Sequence, residues 1–486
     1  MISPWMTIRE LRILLEKGEV SVEDIIKATY QHIATYEPSL GALLERFDEA
    51  TVSEQSASKG ILAGIPGVIK NNICIKGRRM TCGSRLLEQY KAPYDATAVK
   101  KLYASGAIPV ASANLDEFAM GSSCEYSALQ KTCNPWNKER VPGGSSGGSI
   151  AAVAAGMVPW ALGSETGGSI RLPAAWCGVV GSKPTYGLVS RYGLTAYGSS
   201  LDQIGVATRT VYDNALVLSV IAGQEEPVYD GTARKVPADY DLTLGLTGQL
   251  PAGLRIGVVE NAFNAEGVSE EMKTALQTAI AQYEQLGASI RWVSLPSMEF
   301  SAATYFVISR AEAASNLARF DGVRYGTRAV DVKDLQELYI RSRSEGFGED
   351  VQRRIMIGNY VLSHGHADAF YKRACAVRHT MREEAEQIFG EVDLLLMPVA
   401  ANEAFPFGAC ANNPLQMDLC DYFTSWANLV GIPALSVPCG FTKNQMPIGF
   451  QLMGNYWQES LLFQTAYAYE QVNSWHMMHP DLQKLL

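Results

Sequence analysis

Histidine is scarce in this 486-residue sequence: there are six, and none sits in a glycine-rich or strand-end setting. His364 and His366 lie in a polar stretch expected to be helical, and His476 and His479 fall near the C-terminus. Each reads as structural, which disfavours a Ser-His-Asp triad. Charge is also sparse, with Asp, Glu, Lys and Arg at 19% against 47% hydrophobic residues. That balance excludes global disorder and predicts a large buried core. The net charge of −9 repels phosphate backbones, so the chain is ill suited to hold RNA or DNA without a basic partner. The nine cysteines include no CxxC pair, and Cys124 and Cys133 are too far apart for a zinc knuckle. They read as small buried hydrophobes in a reducing cytoplasm, and no metal ligand set is expected. The longest apolar run, Ile150 to Gly163, is 14 residues with Pro159 inside it, too short to span a bilayer. Arg9, Glu10 and Arg12 interrupt the start, so no apolar signal core is expected, and the expectation is a soluble cytoplasmic protein. A GxxxxGK[ST] phosphate loop is missing; Gly181-Ser-Lys-Pro-Thr185 lacks the spacing, and Pro184 spoils the helix start.

Glycine is what the sequence has in quantity, 43 residues that cluster rather than spread. Thr7 and Glu10, then Ser21 and Asp24, form two capping-box patterns, each followed by spaced apolar residues. Residues 1–55 are therefore expected to be a helical cover. From residue 60 to 210, short apolar runs alternate with glycine turns and helical stretches. Residues 224–252 are polar, with scattered Pro and Gly, and read as an irregular connection. The remainder, 253–486, supplies strands at 254–259, 289–293, 394–398, 434–437 and 448–452. Its helices are expected after Ser269 and over 459–473. Strands interleaved with helices predict an α/β fold, a sheet covered by helices on both faces, with 1–486 as one domain.

Two glycine-serine segments dominate, Val141-Pro-Gly-Gly-Ser-Ser-Gly-Gly-Ser149 and Gly163-Ser-Glu-Thr-Gly-Gly-Ser-Ile-Arg-Leu-Pro173. A helix and then a strand are expected between them. Thr166-Gly167-Gly168 can turn tightly, because glycine tolerates positive φ and close approach. Ser169 then opens the next helical stretch, where outward amides can hold an oxyanion beside its hydroxyl. Losing one such donor typically costs about 3 kcal/mol of transition-state stabilisation. A structural glycine turn or a phosphate nest is the bland alternative. A serine nucleophile needs a base. Lys70 ends the run Gly64-Ile-Pro-Gly-Val-Ile-Lys70, which reads as a buried strand delivering a lysine to an interior turn. Burial could bring its pKa from about 10.4 towards roughly 7–8, where the amine accepts a proton.

The two glycine-serine segments together resemble the amidase signature family. The resemblance implies a large mixed sheet and a Ser–cis-Ser–Lys triad. Ser169 is then the nucleophile, Ser145 the bridging serine after a cis peptide, and Lys70 the base. The backbone of Thr166, Gly167 and Gly168 becomes the oxyanion hole. Spacings match, 75 residues from Lys70 to Ser145 and 24 from Ser145 to Ser169. Three positions depart from the family's commonest pattern: Asn71 and Glu165 stand where aspartate is usual, and Leu172 where glutamine is frequent.

Further segments are similar to the branch of that family serving tRNA-dependent amidotransferases: Asn114 to Ser123, Ser190 to Gly205, Ser315 to Gly326 and Arg353 to Gly358. This likeness implies hydrolysis of glutamine, with its α-carboxylate on an arginine, Arg354 or its neighbour Arg353, and its α-amine on Asp421. Met120 is carried over as a further substrate-contacting residue. It also implies no cofactor in this chain. ATP, magnesium and tRNA are expected on a larger B subunit, with a small C subunit completing a heterotrimer. The competing expectation is a stand-alone amidase acting on another small or aryl amide.

Overall fold

The computed structural model describes residues 2–55, 59–411 and 413–486. Both capping boxes form: Thr7 caps the helix Ile8–Glu16 and Ser21 caps Val22–Leu40, each with its reciprocal carboxylate. Gly41 ends the second helix in the left-handed conformation, and the chain then enters a strand, Leu43–Arg46. The N-terminal segment is thus more than a helical cover, because it contributes the edge strand of the sheet.

Eleven strands run in chain order among the described residues: β1 Leu43–Arg46, β2 Pro66–Lys70, β3 Ile108–Ala113, β4 Trp160–Glu165, β5 Val180–Lys183 and β6 Gln203–Thr208. They continue as β7 Arg255–Val259, β8 Ser289–Val293, β9 Leu394–Pro398, β10 Ala434–Phe441 and β11 Pro447–Gly454. One sheet holds them all, in the order β1-β3-β2-β4-β6-β5-β10-β11-β9-β7-β8. It is mixed: β2 is parallel to β3 and β4, and β7 to β8 and β9, while the centre from β4 through β6, β5, β10 and β11 to β9 is antiparallel.

Successive side chains of a strand point to opposite faces. Every residue of β2, β3, β4, β5, β6, β9 and β11 is buried, so both faces are covered. That is the expected α/β architecture. At the far edge β8 is largely exposed, with Trp292 in solvent. The expected helices appear at Glu270–Gln285, capped by Ser269, and at Glu459–Glu470. Residues 224–252 carry no helix or strand. His364 and His366 sit in the turn after the helix Glu349–Leu362 rather than in a helix, and His366 Nδ1 lies 3.2 Å from Ser363 Oγ. Among the described residues no helix is long and apolar enough to cross a membrane. All nine cysteines are free.

Candidate active site

Parallel β2 and β4 are neighbours, so their C-terminal ends open at the same edge of the sheet. One delivers Lys70 and the other Glu165, with the turn 166–168 following. The third contributor is the helix Gly147–Ala154, preceded by a cis peptide between Gly144 and Ser145. Glycine is required at 144 because a Cβ there would lie 2.0 Å from Asp116 Oδ2. Asp116 in turn accepts from the amides of Cys124 and Tyr126 at 2.9 and 3.1 Å, and its own N–H donates to Ser145 O at 3.3 Å. The loop 116–126, with fully buried Met120, is thereby locked to the cis turn.

Lys70 is fully buried. Its Nζ lies 2.7 Å from Ser145 Oγ, 2.9 Å from Ser146 Oγ and 3.1 Å from Ser164 O. Burial pushes its pKa down to about 7, with Asp116 the foremost of the carboxylates that oppose the fall. A neutral amine has two hydrogens and one lone pair. Ser146 Oγ donates to Ser164 O at 3.0 Å, which leaves it free to accept from Lys70. The two hydrogens then go to Ser146 Oγ and Ser164 O, and the lone pair faces the Ser145 hydroxyl. Ser146 and Ser164 thus orient the amine, a role the sequence reading did not assign. The adjacent serines of Gly144-Ser-Ser were its only signal.

Ser169 is 4% exposed, and its carbonyl accepts from the Ser146 amide at 3.1 Å, which ties the two glycine-serine segments together. Among the described residues no hydrogen bond joins the side chains of Ser145 and Ser169. The helical winding begins with Leu172 N donating to Gly168 O at 2.9 Å, so Ser169 stands at the mouth of the helix Arg171–Cys177. The amides of Thr166, Gly167 and Gly168, expected to form the oxyanion hole, and that of Ser169 donate to no acceptor among the described residues. These are the outward donors that an oxyanion would take. Neither glycine has positive φ. Close approach is what demands them: a Cβ would lie 2.5 Å from Tyr305 Cζ at 167 and 2.2 Å from Thr424 Oγ1 at 168. Thr166 Oγ1 donates to Asp202 at 2.7 Å, which braces the start of the turn.

Of the three departures from the family pattern, Glu165 sits against this cradle. Glu165 Oε2 accepts from the amides of Ile170 and Arg171 at 3.0 Å each, and its Oε1 from Arg171 Nη2 at 2.6 Å, with both side chains fully buried. Burial alone would raise the carboxyl, but Arg171 holds it below its ordinary value. Arg171 also donates to Gln451 Oε1, Thr424 O and Asn428 Oδ1. Asn71 accepts from Thr81 and donates to Arg79 O, stitching a neighbouring turn without touching the Lys70 amine. Leu172 packs with Val141, Trp176 and Val399 in a small separate apolar cluster.

Arg354 is 4% exposed, donating to Asp350 Oδ2 at 2.6 Å and to Tyr197 OH at 3.0 Å. Arg353 is far more open, its side chain 34% exposed, and bonds only to Asp350, so the geometry selects Arg354 for the interior. Asp421 is 7% exposed, and its Oδ1 lies 2.9 Å from where a Gly168 Cβ would be. That oxygen has no partner. Burial, with Glu165 and Asp418 nearby, pushes the Asp421 carboxyl up to about 7. A buried carboxylate oxygen left unpaired beside the cradle is suited to receive an ammonium. Among the described residues no group of three or more His, Cys, Asp or Glu side chains is gathered to hold a metal ion. None of the six histidines hydrogen-bonds to Lys70, Ser145 or Ser169.

Comparison with known proteins gives a consistent result. The sequence profile described as Amidase matches residues 24–463. The chain is 49% identical over 484 residues to the A subunit of Glutamyl-tRNA(Gln) amidotransferase from Thermosynechococcus vestitus, covering 98% of this chain and 99% of the other. It is 48% identical over 483 residues to the protein of the same name from Oceanobacillus iheyensis, with 98% of each covered. The crystal structure of the A subunit of Glutamyl-tRNA(Gln) amidotransferase from Thermotoga maritima superposes with a TM-score of 0.83 at 40% identity, over 97% of this chain and 96% of that one. A peptide amidase from Stenotrophomonas maltophilia shares the fold at TM-score 0.80 and 30% identity, over 96% of each chain.

Proposed function

The chain belongs to the amidase family, and from that premise we propose that it hydrolyses glutamine as the A subunit of a tRNA-dependent amidotransferase. The higher identity to amidotransferase subunits than to the peptide amidase favours this reading over a stand-alone amidase. One observation carries the catalytic half: a fully buried lysine amine, held down to about 7, sits 2.7 Å from Ser145 Oγ.

The lone pair of Lys70 takes a proton from Ser145, which takes one from Ser169. Ser169 Oγ attacks the side-chain amide carbon, and the developing oxyanion is met by the amides of the 166–169 turn. The relay then returns the proton to the leaving nitrogen. Ammonia departs, a γ-glutamyl ester remains on Ser169, and water resolves it to glutamate. Arg354 then takes the α-carboxylate and Asp421 the α-ammonium, and Met120, buried in the 116–126 loop, is carried over as a further substrate contact.

The ammonia serves a larger partner, the B subunit, which holds ATP, magnesium and a mischarged tRNA. A small C subunit braces the pair. The test is ammonia release from glutamine by the purified chain with and without co-purifying partners. Wild type is expected to release ammonia, most strongly with partners, and Ser169→Ala to lose at least about 10⁴-fold. Strong unaided turnover of simple amides with glutamine ignored would contradict the substrate assignment. Unchanged release by Ser169→Ala would contradict the nucleophile.

A further inference from the structure

Two guanidinium groups face the turn that carries Asp421. Besides Arg354, there is Arg310, on the helix Ser301–Asn316 that also supplies Tyr305. Arg310 is 1% exposed, and its Cζ lies 4.1 Å from the Phe306 ring. Its Nη1 donates to Ser309 Oγ at 3.1 Å, its Nη2 donates to Asp418 Oδ1, and its buried Nε has no partner. The same Asp418 oxygen lies 3.6 Å from Arg354 Nη2, an ion pair beyond hydrogen-bond length. Asp418 ends the short helix Pro414–Asp418, three residues before Asp421, and its side chain is 17% exposed. A cavity of about 210 Å³ opens here, lined by Phe306, Arg310, Arg353, Arg354, Leu415 and Asp418, among others.

We propose that Asp418 is a resident anion that competes with the α-carboxylate of the substrate for the Arg310–Arg354 pair. The inference rests on the assignment of Arg354 and Asp421 as the substrate's carboxylate and ammonium partners. Two buried guanidinium groups cannot stand side by side without an anion. Asp350 already balances Arg354, and Asp418 supplies the charge that Arg310 needs and shares with Arg354 while the site is empty. An incoming carboxylate has two oxygens, enough to meet both arginines and the unpaired Nε. Asp418 is partly open to solvent, so it can turn outward as the substrate carboxylate takes its place on the arginines. An amide without a carboxylate leaves Asp418 in place and gains nothing from the arginines. Asp418 therefore lowers the affinity for glutamine without affecting amides that lack the carboxylate, and the two arginines supply the discrimination between them.

The test uses the preparation that releases ammonia from glutamine, assayed with glutamine and with 4-aminobutanamide, which keeps the amine and the amide but lacks the carboxylate. Asp418→Asn keeps the shape and removes the charge. It is expected to lower KM for glutamine by roughly three- to tenfold, the size of a partly screened ion-pair competition, with kcat little changed. The KM for 4-aminobutanamide should not move. Arg310→Gln is expected to raise KM for glutamine alone. A raised glutamine KM in Asp418→Asn, or equal shifts for both amides, would overturn the proposal and assign Asp418 a structural role. If wild type itself ignored glutamine, the underlying assignment of the site would fail instead.

Discussion

A lysine in water is a cation, and Lys70 escapes that state because it ends a strand buried on both faces. Its lowered pKa has a stability consequence with a definite sign. Between about 7 and its ordinary value near 10.5, the unfolded chain binds a proton that the folded chain does not, so stability rises with pH across that window. At neutral pH the buried amine therefore burdens the fold. Lys70→Met should abolish hydrolysis yet hold or raise the melting temperature at pH 7, by roughly 1–3 °C, with the gain shrinking towards pH 10. Calorimetry across that range checks it; a loss of several degrees at pH 7 would show Lys70 to be structural. The apolar lead-in Gly64 to Ile69 made this residue legible in the sequence. Arg310 was not legible, because a single arginine in a mixed helix looks solvated until the fold buries it. The glycines at 167 and 168 were read correctly as special, but through close approach and not positive φ. Their neighbours Tyr305 and Thr424 come from distant segments that no local pattern reveals.

The element that makes the cradle rigid is the junction of β4 with the helix Arg171–Cys177, clamped by Glu165 and Arg171. Removing one partner of a fully buried pair leaves the other charge uncompensated, which costs about 3–5 kcal/mol. Glu165→Ala is therefore expected to lower the urea midpoint strongly and to weaken turnover through the loosened 166–170 turn. Glu165→Asp, which keeps the carboxylate, should recover much of both. A Glu165→Ala protein with wild-type midpoint and turnover would refute the clamp. All five strands of 253–486 could be read from apolar runs bounded by glycine and proline. The four-residue β1 could not, since Leu43–Arg46 is shorter than any periodicity can resolve and its pairing with β3 lies far away in sequence.

Across the whole molecule, the order of the eleven strands was the least legible feature, because it depends on pairings between segments tens to hundreds of residues apart. One such tie fastens the N-terminal helices: the amide of Ile8 donates to Asp213 Oδ2 at 2.9 Å in a buried setting, and Arg209 donates to Met6 O. Asp213→Ala should speed hydrogen exchange over Ile8–Glu16 while leaving the site chemistry near wild type; unchanged exchange there would show that the tie is dispensable. The account as a whole depends on a neutral amine activating Ser169. The most direct measurement is the rate at which a fluorophosphonate labels Ser169 from pH 5.5 to 9.5, in wild type and in Lys70→Met. The structure predicts a rate that falls about tenfold per unit below an apparent pKa near 7 and is flat above it, and near-complete loss of labelling in Lys70→Met. A rate still climbing above pH 9, or labelling that survives in Lys70→Met, would contradict it.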